Sequence, residues 1–373
     1  LLIEPRDPLV ARDGRPFSSN PGARARSLPF PLPQTIAGAV RTRIGLSRGL
    51  TFPEAVQQVR QIAIRGPLLA ELKDDAWKLL VPAPADALLL GQGQASFLYR
   101  LVPLELGKDV KTNLPPGLSP VGIPQADNKS KPLSLPRFWY WQALERWLLE
   151  PPAKAEHKGE DLGHDGPRGE VRTHLKLNPE TQTAEEGFLF QTSGLEFTHR
   201  PQQAPLSAAR RLALAVWVEG APSGVFPLGG ERRLAVWKEE TPPLPEPPEG
   251  LLQLLLEHQA ARVIFLTPAA FELGYLPKDN QLHGASVQAV ALGRAQTVSG
   301  WDLERHQPKP SRRLVPAGSV YYVRFAGWNQ AQVEDWLQKV WWQNLSDDAQ
   351  DRLDGYGLAV VGSWTGKRAD LEV

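Results

Sequence analysis

With no cysteine among its 373 residues, the chain offers seven histidines as its only nitrogen or sulfur ligands of the usual metal-binding kind. They are His157, His164, His174, His199, His258, His283 and His306. No His-Glu-x-x-His pair, phosphate-binding P-loop, Gly-x-Ser-x-Gly elbow or dinucleotide fingerprint occurs, so the common hydrolytic and hydride-transfer chemistries have no motif. His157 and His164 lie among Glu156, Glu160, Asp161 and Asp165, a set able in principle to clamp a divalent cation. A metal site needs rigid ligands with an ordered second shell. This stretch, charged and glycine-containing, is read instead as a solvated loop, and no metal or cofactor is expected. His258 follows a leucine-rich stripe and reads as a surface or helix-end residue. His174 stands apart, alternating in direction with the apolar Val171, Leu175 and Leu177. It could act as a general base on an RNA 2′-hydroxyl, stack on a base, or cap a turn. Spacing ties no acid, second histidine or lysine to it, which favours a structural role over catalysis.

The basic residues are more suggestive, because they recur beside glycine and proline. Arg12 and Arg15 flank Gly14; Arg24 and Arg26 lie in a Pro-rich loop; Arg232 and Arg233 follow Gly229 and Gly230; Lys309, Arg312 and Arg313 share a Pro-containing loop. Glycine lets a backbone come close to phosphate and offers its N–H, while arginine supplies a forked donor that also stacks on bases. Such loops suit the tracking of an RNA backbone. For any single pair, an ordinary solvated loop is the plainer alternative.

The elements that must position these residues follow from periodicity. A short apolar strand breaks at Pro5, and residues 18–33 are too proline-rich for regular structure. Ile36, Val40 and Ile44 form one helical stripe over residues 34–46, with Arg41 and Arg43 off it. Residues 103–136 read as an insertion, 137–149 as an apolar helix carrying Trp139, Trp141 and Trp147, and 150–170 as a flexible stretch. Phe188-Leu189-Phe190 and Leu195-Glu196-Phe197 read as two short strands around a turn at 191–194. The second half reads as strand 212–218, glycine turn 227–233, strand 234–237, a proline-rich connector, helix 251–259, strands at 263–266, 286–298 and 319–325, a helix from Val333, and strand 358–361. Trp336, Trp341 and Trp342, like the first three tryptophans, are expected in the core and at a subunit interface. This order approximates the split βαβ pattern of ferredoxin-like folds.

Composition bounds the rest. Lys and Arg total 42 against 41 Asp and Glu, a formal charge of +1, so any polyanion site requires charge sorted locally. An apolar fraction of 42% is enough to bury the cores of two domains, and 36 Pro with 32 Gly predict a turn-rich fold. No run approaches the roughly 18 apolar residues of a transmembrane helix, and the start lacks a signal-peptide core, so a soluble cytoplasmic protein without membrane contact is expected. Methionine is absent as well, which composition alone does not explain.

Taken in order, several segments resemble the Cmr3 family, Cas5-like RAMP subunits of type III-B CRISPR effector complexes. They are Glu4-Pro5-Arg6-Asp7-Pro8-Leu9, Arg12-Asp13-Gly14-Arg15-Pro16-Phe17, Pro33-Gln34-Thr35-Ile36-Ala37-Gly38, Arg65-Gly66-Pro67, Arg172-Thr173-His174, Glu185-Glu186-Gly187-Phe188-Leu189-Phe190, Gly229-Gly230-Glu231-Arg232-Arg233, Ser299-Gly300-Trp301-Asp302, Pro316-Ala317-Gly318-Ser319-Val320-Tyr321 and Gly355-Tyr356-Gly357. The resemblance implies an α+β chain of two ferredoxin-like (RRM-like) domains with long loop insertions, divided at residues 1–205 and 206–373. It implies a scaffold without nuclease chemistry that grips the 5′ handle of the crRNA, docks the Cas10-type subunit Cmr2 and the backbone subunit Cmr4, and is not a homo-oligomer. By the same match Gly229, Gly230, Arg232 and Arg233 are assigned to the handle, while Arg12, Arg15 and His174 would meet RNA or Cmr2. The competing expectation is a metal-independent endoribonuclease of the Cas6 type, with His174 as general base.

Overall fold

The computed structural model describes residues 1–11, 24–25, 27–51, 56–92, 95–107, 109–124, 130–149, 154–156, 161–200, 204–302, 307–325 and 327–370. Strands and a few helices mix in an α+β architecture. The chain forms two compact units, Leu1–Trp77 with Gly166–Thr241 and Thr297–Arg313, and Lys78–Asp165 with Pro242–Gln296 and Leu314–Val373. Residues 205 and 206, the expected boundary, both lie inside the first unit.

The first unit contains β1 (Leu2–Pro5), β2 (Arg24–Ala25), α1 (Pro33–Ser47), β3 (Arg65–Lys73), β4 (Arg168–Leu177), β5 (Ala184–Glu196), β6 (Arg210–Trp217), β7 (Gly224–Pro227) and β8 (Leu234–Lys238). Its main sheet runs β3-β6-β1-β8-β7, with every neighbouring pair antiparallel. Proline at its first turn starts α1, and the expected stripe of Ile36, Val40 and Ile44 is fully buried. Arg41, expected off that stripe, is buried as well: its guanidinium donates to the Ile62 carbonyl at 2.9 and 3.1 Å. Two carboxylates are buried in the sheet, Glu71 paired with Arg210 and Glu4 with Arg211, so both of those arginines are committed to the fold.

β4 and β5 form a long antiparallel hairpin, from Arg168 opposite Glu196 to Leu177 opposite Ala184. The two short strands expected around a turn at 191–194 are one continuous strand. The turn lies instead at Asn178, whose side chain accepts from the Glu180 and Thr181 amides. Gly194 answers to crowding, because a Cβ there would sit 2.8 Å from Cβ of Pro8. Beside it, Leu9 and Leu195 exchange backbone hydrogen bonds at 2.9 and 2.8 Å.

The second unit is built around β9 (Ala260–Phe265), β10 (Ala285–Ala291), β11 (Val320–Arg324) and β12 (Leu358–Ser363), with α2 (Trp141–Leu148), α3 (Leu251–His258) and α4 (Gln330–Val340) packed on them. The sheet order is β10-β11-β9-β12, antiparallel throughout. A capping box of Asn329 and Gln332 starts α4. The helix expected over 137–149 begins late, since Phe138–Tyr140 pair as a strand with residues 80–82. The strand expected over 286–298 is likewise interrupted after Ala291. His164, expected in a solvated loop, is buried edge-on against Tyr140, while His157 and Glu160 fall outside the described residues.

A buried polar knot locks this unit. Arg262 on β9, 1% exposed, donates to Asp86 at 2.5 Å, to the Ser363 carbonyl at 2.7 Å and to the Trp147 carbonyl at 2.5 Å. The Trp147 indole closes the ring by donating to Asp86 at 2.9 Å. All six tryptophans singled out in the sequence are buried within this unit. Among the described residues no helix is long and apolar enough to cross a membrane.

Candidate nucleic-acid interface

The hairpin between β7 and β8 presents the glycine motif. Gly229 has φ +71° and ψ −160°, a conformation open to glycine, and a Cβ on it would lie 2.6 Å from the Val10 carbonyl oxygen. The Gly230 amide donates to that same carbonyl at 2.7 Å. The two glycines therefore seat the loop on the segment that follows β1, two residues before Arg12. The expectation that this backbone offers its N–H groups to phosphate is corrected at Gly230, whose N–H is already engaged.

Beyond the glycines, Glu231 and Arg232 both take left-handed conformations, φ +59° and +50°. The turn throws Arg232 into solvent, where it has no hydrogen bond or ion pair among the described residues. It points Arg233 inward, with Nη2 donating to Glu231 Oε2 at 2.8 Å and a buried Nε that finds no acceptor among the described residues.

Arg233 lines a cleft with Pro8, Val10, Glu170, Arg172, Thr192 and Gly194. Strand geometry assembles the other wall. Along β4 the side chains of Glu170, Arg172 and His174 share one face, and Arg172 stands opposite Thr192 of β5. Arg172 Nε donates to Glu170 at 2.5 Å, and this hydrogen bond raises its pKa above the ordinary guanidinium value. His174 Nε2 and the Thr192 hydroxyl share a hydrogen bond of 2.8 Å. β2 pairs in parallel with β5, placing the backbone of Arg24 against Gln191 and of Ala25 against Thr192.

The structure thus brings together Arg233, His174 through Thr192, the strand bearing Arg24, and the Gly229-Gly230 turn. Arg232 lies on the same turn without lining the cleft. Arg12, Arg15 and Arg26 lie outside the described residues. Lys309 and Arg313 are exposed and Arg312 is half-buried; none of the three lines the cleft. The Lys309 amide instead donates to the Gly300 carbonyl at 2.8 Å. Sequence reasoning missed Arg172, Glu170 and Thr192 as cleft residues. The i, i+2 alternation of Glu170, Arg172 and His174 was the available signal. Among the described residues no group of three or more histidine or carboxylate side chains is placed to hold a metal ion.

A cleft lined by two arginines and a threonine hydroxyl can donate to phosphate and to base edges. The α+β architecture with this cleft defines a class of chain rather than an activity, and the family is settled by comparison. Residues 1–364 match the family model described as CRISPR-associated protein (Cas_Cmr3), and the chain belongs to that family. Its fold is similar to a chain in the cryo-EM structure of the type III-B Cmr-beta bound to cognate target RNA, with TM-score 0.50, 15% identity, and coverage of 100% of this chain and 98% of that one. A chain of the same assembly bound to cognate target RNA and AMPPnP, state 1, matches at TM-score 0.47 and 16% identity, over 86% of this chain and 85% of that one. No curated protein matches the sequence. The family match gives the Cas6-type alternative no support.

Proposed function

We propose that the chain is a non-catalytic RNA-binding scaffold subunit of a type III-B CRISPR effector complex, gripping the 5′ handle of the crRNA and docking Cmr2 and Cmr4. One observation carries the reading: Arg172, Arg233 and Thr192, the hydrogen-bond partner of His174, meet at one cleft of a Cmr3-family chain. The fold neighbour drawn from a Cmr assembly bound to target RNA supports the setting.

Strand order supports reading both units as ferredoxin-like. Counted along the chain, β12-β9-β11-β10 is the order 4-1-3-2, and β8-β1-β6-β3 repeats it in the first unit. Each unit departs from the full βαββαβ pattern by one helix. Between β6 and β8 stand β7 and the glycine turn, and no α-helix lies between β9 and β10.

The test is RNA binding by the assembled complex across a salt series. Arg232→Ala with Arg233→Ala should weaken handle binding and flatten the logarithmic salt slope by about 0.7 for each single-strand phosphate that is no longer neutralised. An unchanged slope refutes the assignment of these arginines.

A further inference from the structure

Each cleft arginine already holds a carboxylate two residues away. Glu170 and Arg172 meet because alternate residues of β4 share a face, and the bond between them is 2.5 Å. Glu231 and Arg233 meet at 2.8 Å because the turn places Glu231 in a left-handed conformation. That conformation is strained for a non-glycine residue, and a neutral Gly or Asn would occupy it with less strain. Both carboxylates remain about one-third exposed, 35% for Glu170 and 31% for Glu231; Glu170 itself lines the cleft, and Glu231 is held against the cleft residue Arg233. The four side chains sum to zero formal charge.

This arrangement treats different ligands differently. A phosphodiester has no proton to offer a carboxylate, so a generic polyanion must displace an ion pair and then endure the freed carboxylate beside it. An RNA segment whose base amino groups or 2′-hydroxyls reach Glu170 and Glu231 gives each carboxylate a new donor as its arginine leaves. The penalty is therefore cancelled for a matching RNA and retained for a mismatched one.

We propose that Glu170 and Glu231 are specificity-determining residues, which neutralise Arg172 and Arg233 in the unliganded chain and reject RNA that brings phosphate groups alone. The proposal rests on the reading of this cleft as an RNA site. It explains why a binding surface would keep its arginines paired: affinity for arbitrary RNA is exchanged for discrimination.

The experiment compares, in the assembled complex, an RNA carrying the repeat-derived 5′ handle with a scrambled RNA of equal length. Glu170→Gln with Glu231→Gln should tighten scrambled-RNA binding by about two- to thirtyfold, the range expected for releasing two exposed ion pairs. Its salt slope should steepen by up to about 0.7 for each arginine freed, and the ratio of handle to scrambled affinity should shrink. An unchanged ratio, with handle binding still weakened by Arg172→Gln and Arg233→Gln, overturns the selective role and leaves the RNA site standing. Handle binding indifferent to both arginine substitutions overturns the site itself, and the selective role with it. Glu170→Gln alone, on a strand rather than in the turn, carries the same comparison should Glu231 prove necessary for the fold of the loop.

Discussion

Removing the Arg262 side chain tests what locks the second unit. In Arg262→Met a stem of similar length stays, but three things disappear together: the charge facing Asp86, and the donors to the Ser363 and Trp147 carbonyls. Each carbonyl left buried without a donor costs about 1–3 kcal/mol, and Asp86, itself fully buried, keeps the Trp147 indole at 2.9 Å as its side-chain donor among the described residues, the Tyr322 hydroxyl being given to the Leu101 carbonyl. Breaking a buried pair from one side costs about 3–5 kcal/mol, and relaxation of the site holds the total near that range. For a unit of this size the loss corresponds to about 6–20 °C in melting temperature. Asp86→Asn should cost about the same, because the two donors bind different carboxylate oxygens and the amide keeps only one acceptor, turning its NH2 toward the other donor beside an uncompensated Arg262 charge. The double variant should be more stable than the two losses added together, by about 2 kcal/mol, since the second substitution removes a group the first has already stranded. Urea unfolding followed by tryptophan fluorescence measures all three, with Trp147 reporting from inside the knot. Additive losses, or an Arg262→Met variant within about 1 kcal/mol of the parent, would refute the argument that these groups act as one unit.

The two loop glycines should respond unequally. Gly229→Ala brings its Cβ to 2.6 Å from the Val10 oxygen at φ +71° and should cost about 2–4 kcal/mol, whereas Gly230→Ala has Val10 Cγ1 at 3.1 Å as its nearest contact and should cost about 1 kcal/mol or less; chemical denaturation of the pair separates them. Alkaline pH should unfold the second unit. Burial, reinforced by Asp86 in the case of Tyr322, pushes the phenols of Tyr321 and Tyr322 well above their ordinary range. Both stay neutral in the folded chain while an unfolded tyrosine ionises from about pH 10, so their share of stability is complete below that pH and is lost as pH rises above it. Tyr321→Phe and Tyr322→Phe should each flatten the alkaline limb of a stability profile, and a profile unmoved by both would show that other groups set it.

How far the sequence could be read depended on whether a residue's role was local. The stripe of Ile36, Val40 and Ile44, the apolar strand β12 and the leucine-rich α3 repeat at the period of their own element, and the structure keeps them where that period puts them. The turn expected at 191–194 failed because glycine and polar residues within a strand look like punctuation. Here Gly194 is small to admit Pro8, from a segment far away in sequence. Asp86 and Arg262 were passed over for the same reason. They lie 176 positions apart, and the only local sign was a charge inside an apolar strand, Ala260-Ala261-Arg262-Val263-Ile264.

The glycine turn shows what that distance changes about function. A motif of two glycines and two arginines suggests a backbone cradle for phosphate with cations beside it, yet the structure spends the Gly230 amide on Val10 and leaves the close approach at Gly229 to the same carbonyl. The glycines therefore do positional work. They fasten the loop to the end of the segment that leads into Arg12, and this in turn fixes where Glu231 and Arg233 stand against the Arg172 face of β4. The Gly230 amide is thus closed to phosphate, and the two arginines that line the cleft are paired with carboxylates. It follows that loosening the turn and stripping the arginines are different lesions. Gly229→Ala should lower the stability of the fold and handle affinity together, whereas Arg233→Gln, which gives up one partly exposed ion pair worth about 1 kcal/mol or less, should lower handle affinity in a chain that melts within about 4 °C of the parent.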